Sequence, residues 1–205
     1  MKALYFTLIV VIIDQITKLL IKGFKIPFLN INHRGLKINQ SIKIWDEFIQ
    51  LTHVENYGIA FGIEFGRNFR VFTLIITLIA ILAIFYYLYI SRFKDFKIRF
   101  AIALILGGAI GNMIDRIFYG VIYGYASLFH GRVVDFIHLD FFDYNLFGRT
   151  YLSLPIFNLA DVSVFVGLIM LFIISFKSHR EEEVEISEEK STENTSPESS
   201  GEKIE

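Results

Sequence analysis

The chain has 205 residues, of which 54% are hydrophobic, and it contains no cysteine. A single soluble domain of this length could bury a core, but it would not carry several uncharged runs approaching ~20 residues, so the composition indicates a membrane protein. The absence of cysteine excludes disulfides, thiol nucleophiles and thiolate metal sites. The formal net charge of −1 hides a segregation of charge, because acidic residues cluster in the C-terminal segment 181–205.

Hydropathy predicts four transmembrane helices, since a bilayer requires about 20 apolar residues. They are expected at about residues 3–21, 70–90, 99–119 and 156–176. The first apolar run begins after Lys2 and could be mistaken for a signal peptide. No small-x-small cleavage pattern follows it, and the apolar pattern resumes after Asp14 and Lys18, so we expect a retained transmembrane helix.

Basic residues in short flanks mark the cytoplasmic side of a membrane protein. Such residues follow the second and fourth predicted helices: Arg92, Lys94, Lys97, Arg99, Lys177, His179 and Arg180. Both termini are therefore expected in the cytoplasm, and the loops at about 22–68 and 120–154 are expected outside. The first loop contains the strand-like sequence IKIWDEFIQLTHV, and loops of this length are more often functional than mere connectors.

The sequence thus predicts an all-α membrane protein with four transmembrane helices and a small β-containing extracytoplasmic segment. Residues 1–180 are expected to form this membrane domain. Residues 181–205 are rich in Glu, Ser and Thr and poor in large apolar residues. They cannot bury enough surface to fold, so we predict a disordered acidic cytoplasmic tail.

Ionisable residues inside these helices are candidates for function, because an unpaired charge in a span costs several kcal/mol. With a rise of ~1.5 Å per residue, Asp115 lies ~24 Å from the cytoplasmic start of its helix, and Asp161 lies ~8 Å from the outer start of the fourth. Asp14 lies ~17 Å from the inner start of the first helix, slightly deeper. In a hydrocarbon core of ~30 Å, these carboxylates converge toward the outer leaflet.

In the first helix, Asp14 and Lys18 are four residues apart and share one face. They form either an intrahelical ion pair that makes the helix insertable or a supporting part of a site. Before the second helix, Asn56 precedes Gly58, a residue type that allows unusual backbone conformations and the close approach of a ligand. A simple turn would also explain this glycine.

The third helix contains GGAIGNMIDRI, in which Gly107, Gly108 and Gly111 suit close helix packing. Asn112 and Asp115 are three residues apart and face the same way, with Arg116 adjacent. A structural pair between Asp115 and Arg116 explains these charges as well as a direct catalytic role does.

Asp135 lies outside the predicted helices, between β-branched and aromatic residues in GRVVDFIHL, and apolar flanks raise the pKa of a carboxyl group. Asn158 and Asp161 open the fourth helix with i, i+3 spacing. A helix N-cap accounts well for Asn158. It accounts poorly for Asp161, since a buried carboxylate is a costly way to gain a few tenths of a kcal/mol from the helix dipole.

Carboxylate chemistry is what these residue types support. There is no cysteine, no serine lies in a G-x-S-x-G elbow, and the five histidines form no H-E-x-x-H zinc motif. Two aspartates that share one proton can activate a water molecule and protonate a leaving amine, without a metal or a covalent intermediate.

Five sequence blocks, in order, resemble those of the lipoprotein signal peptidase (signal peptidase II) family. They are DQITK in the first helix, NYGIAFG before the second, GGAIGNMIDR in the third, VVDFI outside and FNLAD at the start of the fourth. The resemblance covers residues 1 to about 180. It implies an aspartic endopeptidase of the bacterial inner membrane, which removes signal peptides from prolipoproteins by cutting before a diacylglyceryl-modified cysteine.

The resemblance implies that Asp135 and Asp161 are the catalytic pair. It also implies that the following residues shape the site or form hydrogen bonds in it: Asp14, Lys18, Asn56, Gly58, Gly108, Asn112, Asp115, Arg116 and Asn158. The partners it implies are diacylglyceryl-modified prolipoproteins, membrane lipids and globomycin-type inhibitors. No cofactor, metal or nucleic acid is expected.

Two intervals are longer than in the family pattern. Asp135 follows Asp115 by twenty residues, and the interval from Asp135 to Asp161 is also extended. Insertions in surface loops cost little entropy, so we expect the fold to tolerate them.

Two other classes of function compete with a peptidase. In a proton- or ion-coupled transporter, the membrane acids would relay charge, although four helices without an internal repeat are unfavourable for alternating access. In a non-catalytic membrane assembly or lipid-binding protein, the glycines would pack helices and the acids would serve as caps and ion pairs. Neither class accounts for the ordered blocks.

Overall fold

The computed structural model describes residues 2–58, 66–140, 144–146, 149–151 and 154–193. Its helices are α1 (Ala3–Lys22), α2 (Gly66–Ile90), α3 (Phe96–Ile114), the short α4 (Gly120–Ile122) and α5 (Leu159–Glu193). Its strands are β1 (Phe24–Ile26), β2 (Ile31–His33), β3 (Ser41–Trp45), β4 (Ile49–Asn56), β5 (Val133–Leu139), β6 (Tyr144–Leu146) and β7 (Arg149–Tyr151). A π-helical turn, Asp115–Tyr119, joins α3 to α4.

The prediction of four membrane-spanning helices is confirmed by length and composition. Within the described residues, the helices apolar enough to cross a bilayer are Ala3–Lys22, Val71–Phe93, Phe96–Ile122 and Leu159–Arg180. The third begins earlier than predicted because the Asp95 side chain accepts a hydrogen bond from the backbone N–H of Lys97 and caps the helix there. Large apolar side chains such as Phe172 are exposed along these helices, as lipid-facing residues would be.

The helix α3 packs against α1, α2 and α5, and its glycines allow the close approach of α1 and α5. A Cβ atom added to Gly107 would lie 2.8 Å from Cβ of Val10 in α1. One added to Gly108 would lie 2.2 Å from the backbone oxygen of Ala160 in α5. The predicted role of these two glycines in helix packing is therefore confirmed.

The strands β3, β4 and β5 form an antiparallel sheet in that order, so the strand-like sequence of the first loop does form strands. The register pairs Val54 with Asp135 and Asn56 with Val133. Val134 and Phe136 of β5 are buried and pack in a cluster with Ile21 and Tyr119. This packing attaches the sheet to the C-terminal end of α1 and to the π-helical turn.

The helix α5 continues to Glu193, into the segment for which the sequence predicts disorder. Glu, which is frequent between residues 181 and 190, has high helix propensity, and local propensity can extend a helix that tertiary packing has already started. Residues 194–205 of the predicted tail lie outside the described residues. The boundary between the membrane domain and the tail stays a prediction.

Candidate active site

Backbone hydrogen bonds bring β5 beside the start of α5. The backbone N–H groups of Phe136 and Ile137 donate to the carbonyl oxygen of Phe157 at 3.0 and 2.7 Å, and the N–H of Phe157 donates back to Ile137 at 3.1 Å. Asp135 precedes this bridge in β5 and is 3% exposed. Asp161 follows it in the first turn of α5 and is partly buried. The bridge therefore brings together the two predicted catalytic aspartates.

The side chain of Asn158 contacts both of these aspartates. Its Nδ2 donates to Oδ1 of Asp135 at 2.6 Å, and its Oδ1 accepts from the backbone N–H of Asp161 at 3.0 Å. Oδ2 of Asp161 in turn accepts from the backbone N–H of Asn158 at 3.1 Å. The two residues form a reciprocal capping box. Asp161 therefore has a larger role in capping α5 than its sequence position indicates.

Amide side chains orient the remaining carboxylate oxygens. Asn112 Nδ2 donates to Oδ1 of Asp161 at 2.8 Å, and Asn56 Nδ2 donates to Oδ2 of Asp135 at 3.1 Å. The backbone N–H of Gly58, at φ +83°, donates to Oδ1 of Asn56 at 2.8 Å and so fixes which way that amide faces. Neutral donors hold both carboxylates in place without neutralising their charge.

The pair has the electrostatics of two acids that compete for one proton. Burial, as the largest cause, and the nearby charge of Asp161 together raise the pKa of the Asp135 carboxyl to about 7, against the opposing hydrogen bonds from Asn56 and Asn158. Two close carboxylates cannot both ionise easily because their like charges repel, so together they favour keeping one proton near neutral pH. This arrangement can act as a general acid and a general base at once.

A buried ion cluster lies beneath the pair. Lys18 Nζ is 2.8 Å from Oδ2 of Asp14 and 2.9 Å from Oδ2 of Asp115, and it donates to Oδ1 of Asn112 at 2.9 Å. All three charged side chains are 0% exposed. The pair within α1 therefore exists, but it also extends to α3. The structure gives Lys18 as the ion-pair partner of Asp115, where the sequence suggested Arg116.

The two carboxylates of this cluster also hold the backbone beside the pair. Oδ1 of Asp14 accepts from the N–H of Ala160 at 3.0 Å, and Oδ2 of Asp115 accepts from the N–H of Val134 at 3.2 Å. Each hydrogen bond holds the residue immediately before one of the two site aspartates. The ion cluster therefore connects α1 and α3 to both halves of the candidate site.

Arg116 lies in the π-helical turn that follows α3. Its guanidinium lies within the range of electrostatic interaction with Asp115, Asp135 and Asp161. The backbone oxygen of Arg116 accepts from the N–H of Gly131 at 2.9 Å. Single π-helical turns occur often at functional sites because they redirect side chains, and this one brings a cation to the carboxylate pair.

Gln15 belongs to the ion cluster, although its sequence position alone did not mark it as a site residue. Its Nε2 donates to Oδ1 of Asp115 at 2.9 Å and to the backbone oxygen of Gly111 at 3.1 Å. Its Oε1 accepts from the hydroxyl of Tyr119 at 3.1 Å. The signal was present in the block DQITK, where Gln15 is next to Asp14.

Glu55 in β4 was also missed, and it links the end of α1 to the residue that precedes β5, the strand that contains Asp135. Its carboxylate accepts hydrogen bonds from Lys22 at the end of α1 and from Arg132, the latter at 2.7 Å. Glu55 directly precedes Asn56, and Arg132 directly precedes the Val133 that pairs with Asn56. Burial alone would raise the pKa of Glu55, but the two cations outweigh it and the pKa is lowered.

Replacing Glu55 with glutamine is expected to lower the free energy of unfolding by about 3 kcal/mol, because two cations would then face each other without a carboxylate. The value lies at the low end for a broken buried pair, since the Arg132 side chain keeps 25% of its surface exposed. Thermal unfolding of the purified protein in detergent measures the change.

Glu47→Gln is the matched control for this substitution. Glu47 pairs with Lys43 within the same sheet segment, but these side chains are 61% and 58% exposed, and exposed pairs contribute little. A Glu55→Gln variant as stable as Glu47→Gln would show that the contacts of Glu55 do not support the sheet.

A cavity of about 290 Å³ opens beside Asp135. It is lined by Val54, Glu55, Asn56, Tyr57, Asp135 and Ile156. An extended peptide that entered it would lie along the partly buried end of β4, beside Asp135. Within the described part of the chain, no group of three or more His, Cys, Asp or Glu side chains is arranged to hold a metal ion.

The chain is similar to known proteins over most of its length. A family model described as signal peptidase (SPase) II matches residues 6–177. A lipoprotein signal peptidase of Chlorobium phaeobacteroides is 36% identical over 174 residues, which cover 82% of this chain and 88% of that protein. One of Halalkalibacterium halodurans is 36% identical and covers 84% of this chain and 90% of that protein.

The fold is similar to that of solved bacterial membrane enzymes. One superposes with a TM-score of 0.62 at 32% identity, covering 86% of this chain and 93% of the other. A second superposes with a TM-score of 0.59 at 30% identity. On the family match and the extent of these similarities, the chain belongs to the signal peptidase II family of aspartic peptidases.

Proposed function

We propose that Asp135 and Asp161 are the catalytic pair of an intramembrane endopeptidase that removes signal peptides from prolipoproteins. The cut falls before a cysteine that carries a diacylglyceryl group. The observation that carries the assignment is the side chain of Asn158, which contacts both aspartates and holds them as one unit. The relatives named lipoprotein signal peptidase support the same substrate class.

In the proposed reaction, the ionised carboxylate takes a proton from a water molecule as the water oxygen attacks the scissile carbonyl. The protonated carboxyl then donates its proton to the departing amine as the C–N bond breaks. The proton count is restored because the first aspartate leaves the step protonated. The pair shares its proton, so its titration belongs to the two residues jointly.

The other candidate residues position this pair. Asn158, Asn112 and Asn56 orient the carboxylates. Asp14, Lys18 and Asp115 hold the backbone of α5 and β5 at the right separation. Gly58 and Gly108 permit the backbone positions that this requires, and Arg116 supplies the nearby positive charge. A misplacement of about 1 Å in such a site can cost about 10²-fold in rate, which is why a buried network is useful here.

The proposed orientation places both termini in the cytoplasm and the sheet of β3, β4 and β5 outside. It is supported by the basic residues after α2 and α5, which favour the cytoplasmic side. The carboxylate pair then lies toward the outer leaflet, at the level where a lipid-anchored cysteine presents its scissile bond. Membrane lipids and globomycin-type inhibitors are expected ligands of the same region.

Cleavage of a synthetic precursor tests the proposal. Purified protein in lipid nanodiscs would be incubated with a precursor peptide that carries a diacylglyceryl cysteine and with the same peptide unmodified. We expect mass spectrometry to show a cut directly before the cysteine in the modified peptide only. Proton flux in proteoliposomes without cleavage would favour the transporter hypothesis instead, for which the comparisons offer no support.

The rate should depend on pH because the reaction needs one proton on the pair. The pKa of Asp135 is raised to about 7, so the proton is present below that value and is lost as the pH rises through it. We therefore expect kcat/KM to fall between about pH 7 and about pH 9, about tenfold for each pH unit on the alkaline limb. A profile that stays flat over this range in a protein that remains folded would contradict the shared proton.

A further inference from the structure

A second cavity, of about 640 Å³, lies at the C-terminal end of α1, under the hairpin of β1 and β2. Its walls come from the last turn of α1, from the hairpin, and from the last residue of α4 with the one that follows it. None of the predicted site residues lines it. The peptidase reaction gives this cavity no role.

The polar residues that line this cavity are basic or neutral. They include Lys22, Lys25, His33 and Arg34, and no carboxylate is among the described lining residues. Lys22 already pairs with Glu55, so the surplus positive charge comes from Lys25 and Arg34. Both are exposed, and no carboxylate in the described part of the chain forms an ion pair with either. The cavity therefore favours an anionic group.

The walls of the cavity are held in place by the backbone. The N–H of Leu36 donates to the carbonyl oxygen of Ile21 at 2.7 Å. The hydroxyl of Tyr123 donates to the carbonyl oxygen of Gly23 at 2.8 Å. Gly23 has φ +89°, and a Cβ atom there would lie 2.5 Å from the backbone oxygen of Arg34. The hairpin is thus fixed against the end of the helix before any ligand binds.

The cavity lies at the level of the membrane interface. α1 is a membrane span, so its last turn marks the boundary between the hydrocarbon and the headgroups, whichever way the chain is oriented. Apolar side chains around the cavity are exposed, with Phe28 at the tip of the hairpin 86% exposed and Ile122 of α4 66% exposed. Apolar and aromatic residues beside basic ones are typical of segments at lipid headgroups.

We propose that this cavity binds the phosphate group of an anionic glycerophospholipid. Lys25 and Arg34 contact the phosphate, and the acyl chains run down the lipid-facing side of α1 past Leu20. A lipid held there would fasten the hairpin to the membrane surface, beside the Lys22 that pairs with Glu55. The proposal does not depend on the peptidase reaction.

Native mass spectrometry of the full chain tests the proposal. The protein would be equilibrated in detergent with equal amounts of phosphatidylglycerol and phosphatidylcholine, and the retained lipid would be identified. We expect the wild type to retain phosphatidylglycerol preferentially. The Lys25→Gln/Arg34→Gln variant should lose this preference by about tenfold, since each cation near a lipid surface contributes to anionic lipid binding.

The Lys37→Gln/Lys43→Gln variant removes the same charge from exposed positions outside the cavity and should keep the preference. A third arm adds glycerol 3-phosphate, which carries the same phosphate without acyl chains. Displacement of the lipid by this soluble compound at comparable concentration would overturn the assignment to a lipid. Equal retention by the wild type and the Lys25→Gln/Arg34→Gln variant, with both shown to be folded by thermal unfolding, would overturn the site itself.

Discussion

Replacing Asp161 with asparagine is expected to lower kcat for cleavage of a lipidated precursor by about 10²–10⁴-fold, the usual contribution of a positioned general acid or base. Asparagine has nearly the same shape, but it cannot take a proton from water or share one with Asp135. Asp135→Asn should have an effect of the same size, because the two residues act as a unit. Steady-state cleavage followed by mass spectrometry measures both changes.

Asp46→Asn is the matched control for these two substitutions. Asp46 is an exposed aspartate at φ +47°, a backbone conformation that asparagine tolerates well, and it lies in the turn between β3 and β4. Its loss should leave kcat within about twofold of the wild type, since surface substitutions away from special features have small effects. Full activity in a folded Asp161→Asn variant would move the catalytic assignment to Asp115 and Asp14.

Replacing Lys18 with methionine should lower the free energy of unfolding by about 3–5 kcal/mol, the cost of removing one partner from a buried ion pair. Methionine fills much of the same volume, but it leaves the carboxylates of Asp14 and Asp115 facing each other at 0% exposure. The hydrogen bonds from these carboxylates to Ala160 and Val134 would weaken at the same time. Thermal unfolding in detergent measures the loss.

A double variant separates lost charge from lost packing. Asp14→Asn/Lys18→Met removes one of the two facing charges, while the oxygen of asparagine can still accept from the N–H of Ala160. If the destabilisation is electrostatic, the double variant should be more stable than Lys18→Met alone. A double variant that is less stable would show that the unpaired charge of Asp14 is not what destabilises the Lys18→Met variant.

The membrane class, the four spans and the candidate acids could all be obtained from the sequence. Hydropathy is a property of each residue summed along the chain, so spans near 20 residues are visible without any tertiary information. The ordered blocks, from DQITK to FNLAD, likewise contain nearly every residue that the structure brings together at the candidate site. Local capping by Asn158 followed from its position before an apolar helical run.

The partners of those residues depended on tertiary structure. Lys18 contacts Asp115 across a separation of 97 positions, and Asn158 reaches Asp135 only because β5 pairs with Phe157. Helical spacing relates residues three or four apart, so it predicted the contact of Lys18 with Asp14. Adjacency in sequence suggested a pair between Asp115 and Arg116. Neither signal could reveal that Lys18 of α1 contacts Asp115 at the end of α3. Gln15 and Glu55 escaped notice for the same reason.

The pKa of Asp135 shows most clearly which properties follow from the sequence and which require the tertiary structure. Apolar neighbours in VVDFI indicated a raised pKa, because burial in β5 follows from local hydrophobicity. The second cause, the charge of Asp161, arises only when the start of α5 folds against that strand. Composition along the chain determined which groups could be buried, whereas the fold decided which charges face each other, since electrostatic interaction depends on distance in space and not on distance in sequence.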